Sequence, residues 1–196
     1  MISTNAEITT LLNETARDTD IPVKPVALVP SRAMIFGAGD WREPEIRENT
    51  NCYAYALNEP RTGNAAPGSL RCVIDSGLDP EFYSPNLFRI LLKADGLEAV
   101  EDPFAPGQEG QHLLAFAFRA AAHPGGPDFH VWRMDGDGSW SHKEGTDAPK
   151  NTDESENPIL DPQYCDRGSY GVFAGYWRIP EEAVKIRPRL MLPAIT

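Results

Sequence analysis

Long apolar runs are missing from this chain, and no stretch approaches the roughly 20 residues that a membrane-spanning helix needs, so no membrane insertion is expected. Basic residues are also scarce, 18 Lys and Arg against 29 Asp and Glu, for a formal net charge of -11. Phosphate backbones and anionic lipid surfaces are held by clustered cations, so nucleic acid is not an expected partner. The beginning of the chain, Met1-Ile2-Ser3-Thr4-Asn5-Ala6-Glu7, lacks the basic and apolar regions of a secretory signal. It reads as cytoplasmic as synthesised, with secretion by a signal-independent route left open. Cysteine is rare: Cys52, Cys72 and Cys165 are odd in number and too widely spaced for a C-x-x-C metal or redox motif. One thiol at least stays unpaired. Either Cys72 and Cys165 bridge in an oxidising compartment, leaving Cys52 free, or all three are reduced.

What is present fits one hydrophobic core with peripheral arms: an N-terminal helical and Pro-rich arm over 1–44, a main domain over 45–182 and a tail over 183–196. Thr4-x-x-Glu7 has the form of a capping box, and Ile8, Leu11, Leu12 and Ala16 follow at helical spacing, which predicts a helix over 5–17. Pro22, Pro25 and Pro30 impose extended backbone on the segment after it. Asn49-Thr50-Asn51 is a cap signal, so Cys52 opens a short helix that Pro60 and Gly63 limit. A second helix is expected over 85–93, stopped by Gly96. From Gln111 onward the pattern turns to strands over 113–119, 128–134, 139–143 and 170–179. The polar stretch over 144–169 is too long for a tight connection and reads as a candidate active-site loop or a disordered tip. Helices early and strands late give an α+β layout, a short Cys-bearing helix packed on an antiparallel sheet.

A thiol at a helix start sits beside unpaired backbone amides, which favour the thiolate and can also hold an oxyanion. Asn51 or Asn49 is a candidate side-chain donor to that oxyanion. The nucleophile then needs a base, and imidazole is the usual one. His112 opens a strand and His123 sits in an Ala-Ala-Ala-His-Pro-Gly-Gly turn, which leaves His130 and His142 as the candidates. The bland alternatives are a Cys52 packed as a small hydrophobe and two histidines satisfied within the sheet.

Period-two alternation places His130 with Trp132 on one face of its strand, and Trp140 with His142 on one face of the next. Asp135-Gly136-Asp137-Gly138 between them signals a hairpin. A three-residue loop with Gly138 left-handed makes opposed residue numbers sum to 274, pairs Trp132 with His142 and brings both imidazoles to one face. A two-residue loop gives 273 and separates them. In the first register His142 can hold the His130 ring in its productive tautomer, and Trp132 and Trp140 would flank the cleft. The same Asp-Gly run lacks the later ligands of a calcium loop, and a zinc site on Cys52, His130 and His142 is the weaker reading of those three residues. No cofactor and no metal is expected.

Asn-Cys-Tyr-Ala-Tyr-Ala-Leu over 51–57, Asp-Phe-His-Val-Trp-Arg over 128–133 and Trp-Ser-His-Lys over 140–143 together resemble papain-like cysteine hydrolases of the NlpC-like cell-wall peptidase and amidase group. The resemblance implies that Cys52 is the nucleophile, His130 the base and His142 the residue that orients it. Asn51 and Trp132, from the helix start and the strand face, are the expected oxyanion or substrate-binding residues. The implied activity is cleavage of an amide bond, in peptidoglycan stem peptides above all, by an enzyme that is either a delivered antibacterial toxin, with an immunity or carrier protein as partner, or a phage or cytoplasmic enzyme. Related folds act as cysteine proteases, deamidases or acyltransferases on proteins. A non-catalytic binding module presenting a Trp/Tyr face is the alternative outside enzymes.

Overall fold

The computed structural model describes residues 36–37, 40–69, 84–105 and 111–180. The helix expected over 5–17, the Pro-rich segment after it, Cys72 and the tail lie outside these residues.

Among the described residues three α-helices precede or flank the sheet: α1 (Pro44–Asn49), α2 (Cys52–Ala56) and α3 (Pro85–Ala94). α1 starts at a proline, whose missing N–H costs nothing there. It occupies the charged stretch that carries no apolar periodicity, which is why the sequence pattern passes over it. Asn51 caps α2 as expected, its side chain accepting from the Ala54 amide at 3.1 Å. Ser84 caps α3 in the same way through the Leu87 amide, and Leu87, Phe88, Leu91 and Leu92 form its buried face. Gly96, at φ +90°, ends the helix in the left-handed conformation that glycine adopts without strain.

Five strands make one antiparallel sheet: β1 (Glu98–Val100), β2 (His112–Arg119), β3 (Asp128–Met134), β4 (Trp140–His142) and β5 (Val172–Ile179), in the order β1-β5-β2-β3-β4. The mixed α/β architecture with a short Cys-bearing helix against an antiparallel sheet is the one expected. β1 is an addition, three residues long and too short to show alternation. Between β3 and β4 the register follows the three-residue loop: Trp132 faces His142, Arg133 faces Ser141 and Met134 faces Trp140. Gly138 is left-handed at φ +86°, and the Asp135 amide donates to Ser139 O at 2.7 Å to close the loop.

Both faces of the sheet are covered. Leu114, Phe116, Val131 and Trp177 pack with Cys52, Tyr53, Ala56 and Leu57 of the α2 region and with Leu92 of α3. Leu113, Ala115, Trp132, Trp140 and Tyr176 form the opposite layer, sealed by Ile159 from the 144–169 loop. That loop is ordered: Lys150 bridges to His142, Thr152 bridges to Pro158, and Asp153 accepts from the amides of Ser155, Asn157 and Asp166.

Polar ties fix α2 over the hairpin. Tyr55 Oη and Ser141 Oγ are 2.7 Å apart, and the Arg133 guanidinium lies 4.0 Å from the centroid of the Tyr55 ring. Arg133 also donates to Tyr55 O at 3.2 Å and to Asp135 Oδ1 at 2.9 Å. His112 Nε2 meets Ala56 O at the other end of α2, 2.6 Å away. Among the described residues no helix is long and apolar enough to cross a membrane.

Candidate active site

Cys52 opens α2 because Asn51, in extended backbone, closes the first turn with its side chain. Both ends of the Asn51 amide serve local structure, since Nδ2 donates to Ala65 O at 2.6 Å. Asn49 Nδ2 is likewise given to Glu45 O. Asn51 thus serves as cap and anchor, and the main-chain amides of Cys52 and Tyr53 are the donors that lie against the sulfur.

The sulfur meets the edge of β3. β4 pairs with β3 from Trp132 to Met134, so Phe129 and Val131 have no β4 residue beside them. Cys52 Sγ fills this edge: it points to Phe129 O at 3.9 Å and lies against the Val131 amide. His130 stands between those two residues. Among the described residues no hydrogen bond joins Sγ to either imidazole.

The lowered thiol pKa expected from the helix start is corrected. Cys52 is only 6 % exposed, and its thiol is pushed up to about 12, first by burial and then by the Asp128 carboxylate. The three nearby amides pull the other way but do not prevail. The resting sulfur is thus a thiol, because a five-residue helix offers less than dehydration takes.

The two histidines meet as the register requires. His130 Nε2 and His142 Nδ1 are 2.7 Å apart, with the rings nearly perpendicular at 89°. His142 Nε2 lies 2.9 Å from Thr152 O, which can only accept, so Nε2 carries the hydrogen. In the neutral ring Nδ1 then has the lone pair and accepts from His130 Nε2–H. His130 Nδ1 is left as the unprotonated nitrogen. Both rings are neutral near pH 7: burial, His142 and Lys150 hold His130 well below the ordinary imidazole value. Burial brings His142 down to about 4.

Aromatic neighbours fix the His130 ring. Trp132 meets it edge-on at 4.6 Å between centroids, and Tyr170 stacks on it at 5.0 Å. Tyr170 Oη donates to Asp128 Oδ2 at 3.0 Å, so the stacked ring is itself anchored. Trp132 is 2 % exposed and Trp140 is fully buried, which corrects the expectation that they flank a cleft. They are core residues under the histidines, and an exposed platform made from them is ruled out for the same reason.

Three contributors have no motif to announce them. Thr152 acts through its carbonyl, which any residue type would supply. Tyr170 lies 40 residues from His130 and precedes β5 rather than beginning it. Lys143 follows the site histidine directly, yet it points to the other face of the hairpin.

His130, His142 and the half-exposed Glu144 hold ligand-type atoms within 4.8 Å of one another. Two nitrogens on one tetrahedral zinc stand about 3.3 Å apart, wider than the 2.7 Å seen between the rings. The shorter separation suits a shared proton. Cys165 is a free thiol whose Sγ points to Pro162 O, and its expected partner Cys72 lies outside the described residues.

No family model and no solved structure matches the chain. Insoluble matrix shell protein 1 of Ruditapes philippinarum is 35 % identical to it over 143 residues, a span that covers 72 % of this chain and 86 % of that protein. At that identity and coverage the two share one architecture, and the chain belongs to the same family as insoluble matrix shell protein 1 of Ruditapes philippinarum.

Proposed function

We propose that this protein is a papain-like cysteine hydrolase, with Cys52 as nucleophile, His130 as base and His142 as the residue that orients the base. The observation that carries the reading is the hydrogen-bond chain Thr152 O, His142, His130, which fixes the tautomer of a ring whose strand neighbours Phe129 and Val131 both meet Cys52 Sγ. A buried sheet histidine needs one partner to be satisfied. Two in series, with a carbonyl at the far end, define a tautomer.

Because the resting sulfur is a thiol, the proton leaves during attack and not before it. His130 Nδ1 takes the proton from Cys52 as Sγ bonds to the amide carbon, and the main-chain amides of Cys52 and Tyr53 face the developing oxyanion. The C–N bond then breaks and His130 returns the proton to the amine. Water, deprotonated by the same nitrogen, releases the acid from the thioester and restores the thiol. The substrate class that the sequence resemblance favours is the amide bonds of peptidoglycan stem peptides. Protein cleavage, deamidation or acyl transfer would use the same groups.

A second reading follows from the relative named for an insoluble shell matrix: the chain is a non-catalytic component of a matrix. The two are separated by incubating isolated cell wall, and a panel of peptide amides, with wild type and Cys52→Ala and following new amines. Release by wild type alone supports the hydrolase. Equal release by both, or none by either, removes it and leaves the matrix reading.

A further inference from the structure

We propose that Lys143 is a positioning residue for Cys52: its buried ammonium, fixed at the turn into α2, supplies the positive charge that faces the sulfur as it becomes a thiolate. This rests on Cys52 being the group that ionises in the proposed function.

The observations concern a lysine where none is expected. Lys143 is fully buried, 0 % exposed, and its ammonium donates to Thr50 O at 2.7 Å and to Gly145 O. Among the described residues no carboxylate lies within ion-pair distance of it. Two carbonyls satisfy two of its three N–H donors but do not neutralise the charge. A buried cation without a counter-charge is costly, and an apolar side chain of the same length would pack at lower cost. Thr50 lies two residues before Cys52. The hairpin ladder ends at Trp132 and His142, and alternation past His142 turns Lys143 to the face of Ser141, which meets Tyr55 of α2. Lys143 therefore enters on the same sheet face as α2, opposite to the histidines.

The pair has a defined electrostatic setting. Asp128 and Tyr170 face the sulfur, and the Asp128 carboxylate opposes a thiolate there. Burial lowers the Lys143 pKa, while Cys52 and then Asp147 favour its charged form and Arg47 opposes it. Lys143 thus holds its ammonium on the carbonyl of Thr50, two residues before the place where negative charge forms. Its fixed hydrogen bonds keep it from reorganising as that charge appears.

The test compares iodoacetamide alkylation of Cys52 in wild type and Lys143→Met, an unbranched replacement without charge, by peptide mass at pH 9. The expected result is alkylation about tenfold slower in the variant, one pKa unit, with Cys165 alkylated at an unchanged rate. Equal rates at Cys52 overturn the proposal. Should Lys143→Met fail to fold, wild type carrying 13Cε-labelled lysine gives the answer. Linkage requires the Lys143 resonance to inflect where Cys52 ionises and to lose that inflection in Cys52→Ala. A resonance with no such inflection overturns it. A shifted alkylation rate in a protein that releases no amine removes the hydrolase reading and leaves the coupling between Lys143 and Cys52 standing.

Discussion

His130 and His142 stand on one face of the sheet with ring centroids 4.9 Å apart, joined Nε2 to Nδ1 and backed by the Thr152 carbonyl. That order of donors gives His142 a task that another acceptor of similar reach can take over. Gln at 142 offers a carbonyl oxygen to His130 Nε2–H, whereas Leu offers nothing and leaves a buried donor unpaired. His142→Leu is expected to lower kcat for amine release by about 10²-fold or more, and His142→Gln by distinctly less. Equal losses in the two variants would show that His142 does not act through the His130 tautomer.

The pH profile carries the same logic. His130 is held below the ordinary imidazole value by burial, then by His142 and Lys150, so its base form persists in acid. kcat/KM is expected to stay level from pH 8 to below pH 6, where an imidazole titrating at about 6.5 would already have lost most of its base. A fall centred near pH 6.5 would mean that the ring is solvated during turnover.

The hairpin that unites the rings was legible because one residue decides it. Alternation fixes the face of each strand residue, and Gly138 selects the loop length that sets the register. The thiol was not legible to the same degree. Asn51 announces the cap, but the thiol is raised by burial against β3 and by the Asp128 carboxylate, nearly 80 residues away, where local pattern says nothing. Thr152 is harder still, since a backbone carbonyl leaves no mark in the sequence. Gly138 can be tested alone: a Cβ there meets nothing within 4 Å, so only the φ of +86° penalises a side chain. Gly138→Val should cost about 1–2 kcal/mol in urea unfolding, and Gly138→Asn less. A neutral Val would show that the loop relaxes to another register.

Arg133 and Asp135 form an ion pair whose side chains are both essentially inaccessible, with Tyr55 stacked on the guanidinium. Removing one partner strands the other's charge under α2. Asp135→Ala is expected to destabilise the fold by about 3–5 kcal/mol, read as a lowered urea midpoint. Arg133→Met combined with Asp135→Ala should lose less than Asp135→Ala alone, because no charge is left buried. A double variant as unstable as the single one would place the cost in packing and not in the unpaired cation.

Acid should unfold this protein through its histidines before its carboxylates matter. His112 is buried with Nε2 on Ala56 O and Nδ1 without a hydrogen-bond partner. Burial, and secondarily the Arg133 charge, bring it down to about 3, with the Ala56 carbonyl working the other way. His142 sits at about 4 and His130 is lowered as well. In the unfolded chain these rings bind protons near pH 6.5, whereas the folded chain keeps them neutral. Stability is therefore full above about pH 6.5 and declines as pH falls toward the folded values, by about 1.4 kcal/mol per pH unit for each ring. Between pH 6.5 and 5 the urea-derived free energy should fall with a slope set by three imidazoles. His112→Gln keeps a donor for Ala56 O but cannot titrate, so its slope should be about one-third shallower. An unchanged slope would mean that His112 already takes up its proton in the folded protein, and that α2 is not closed over it.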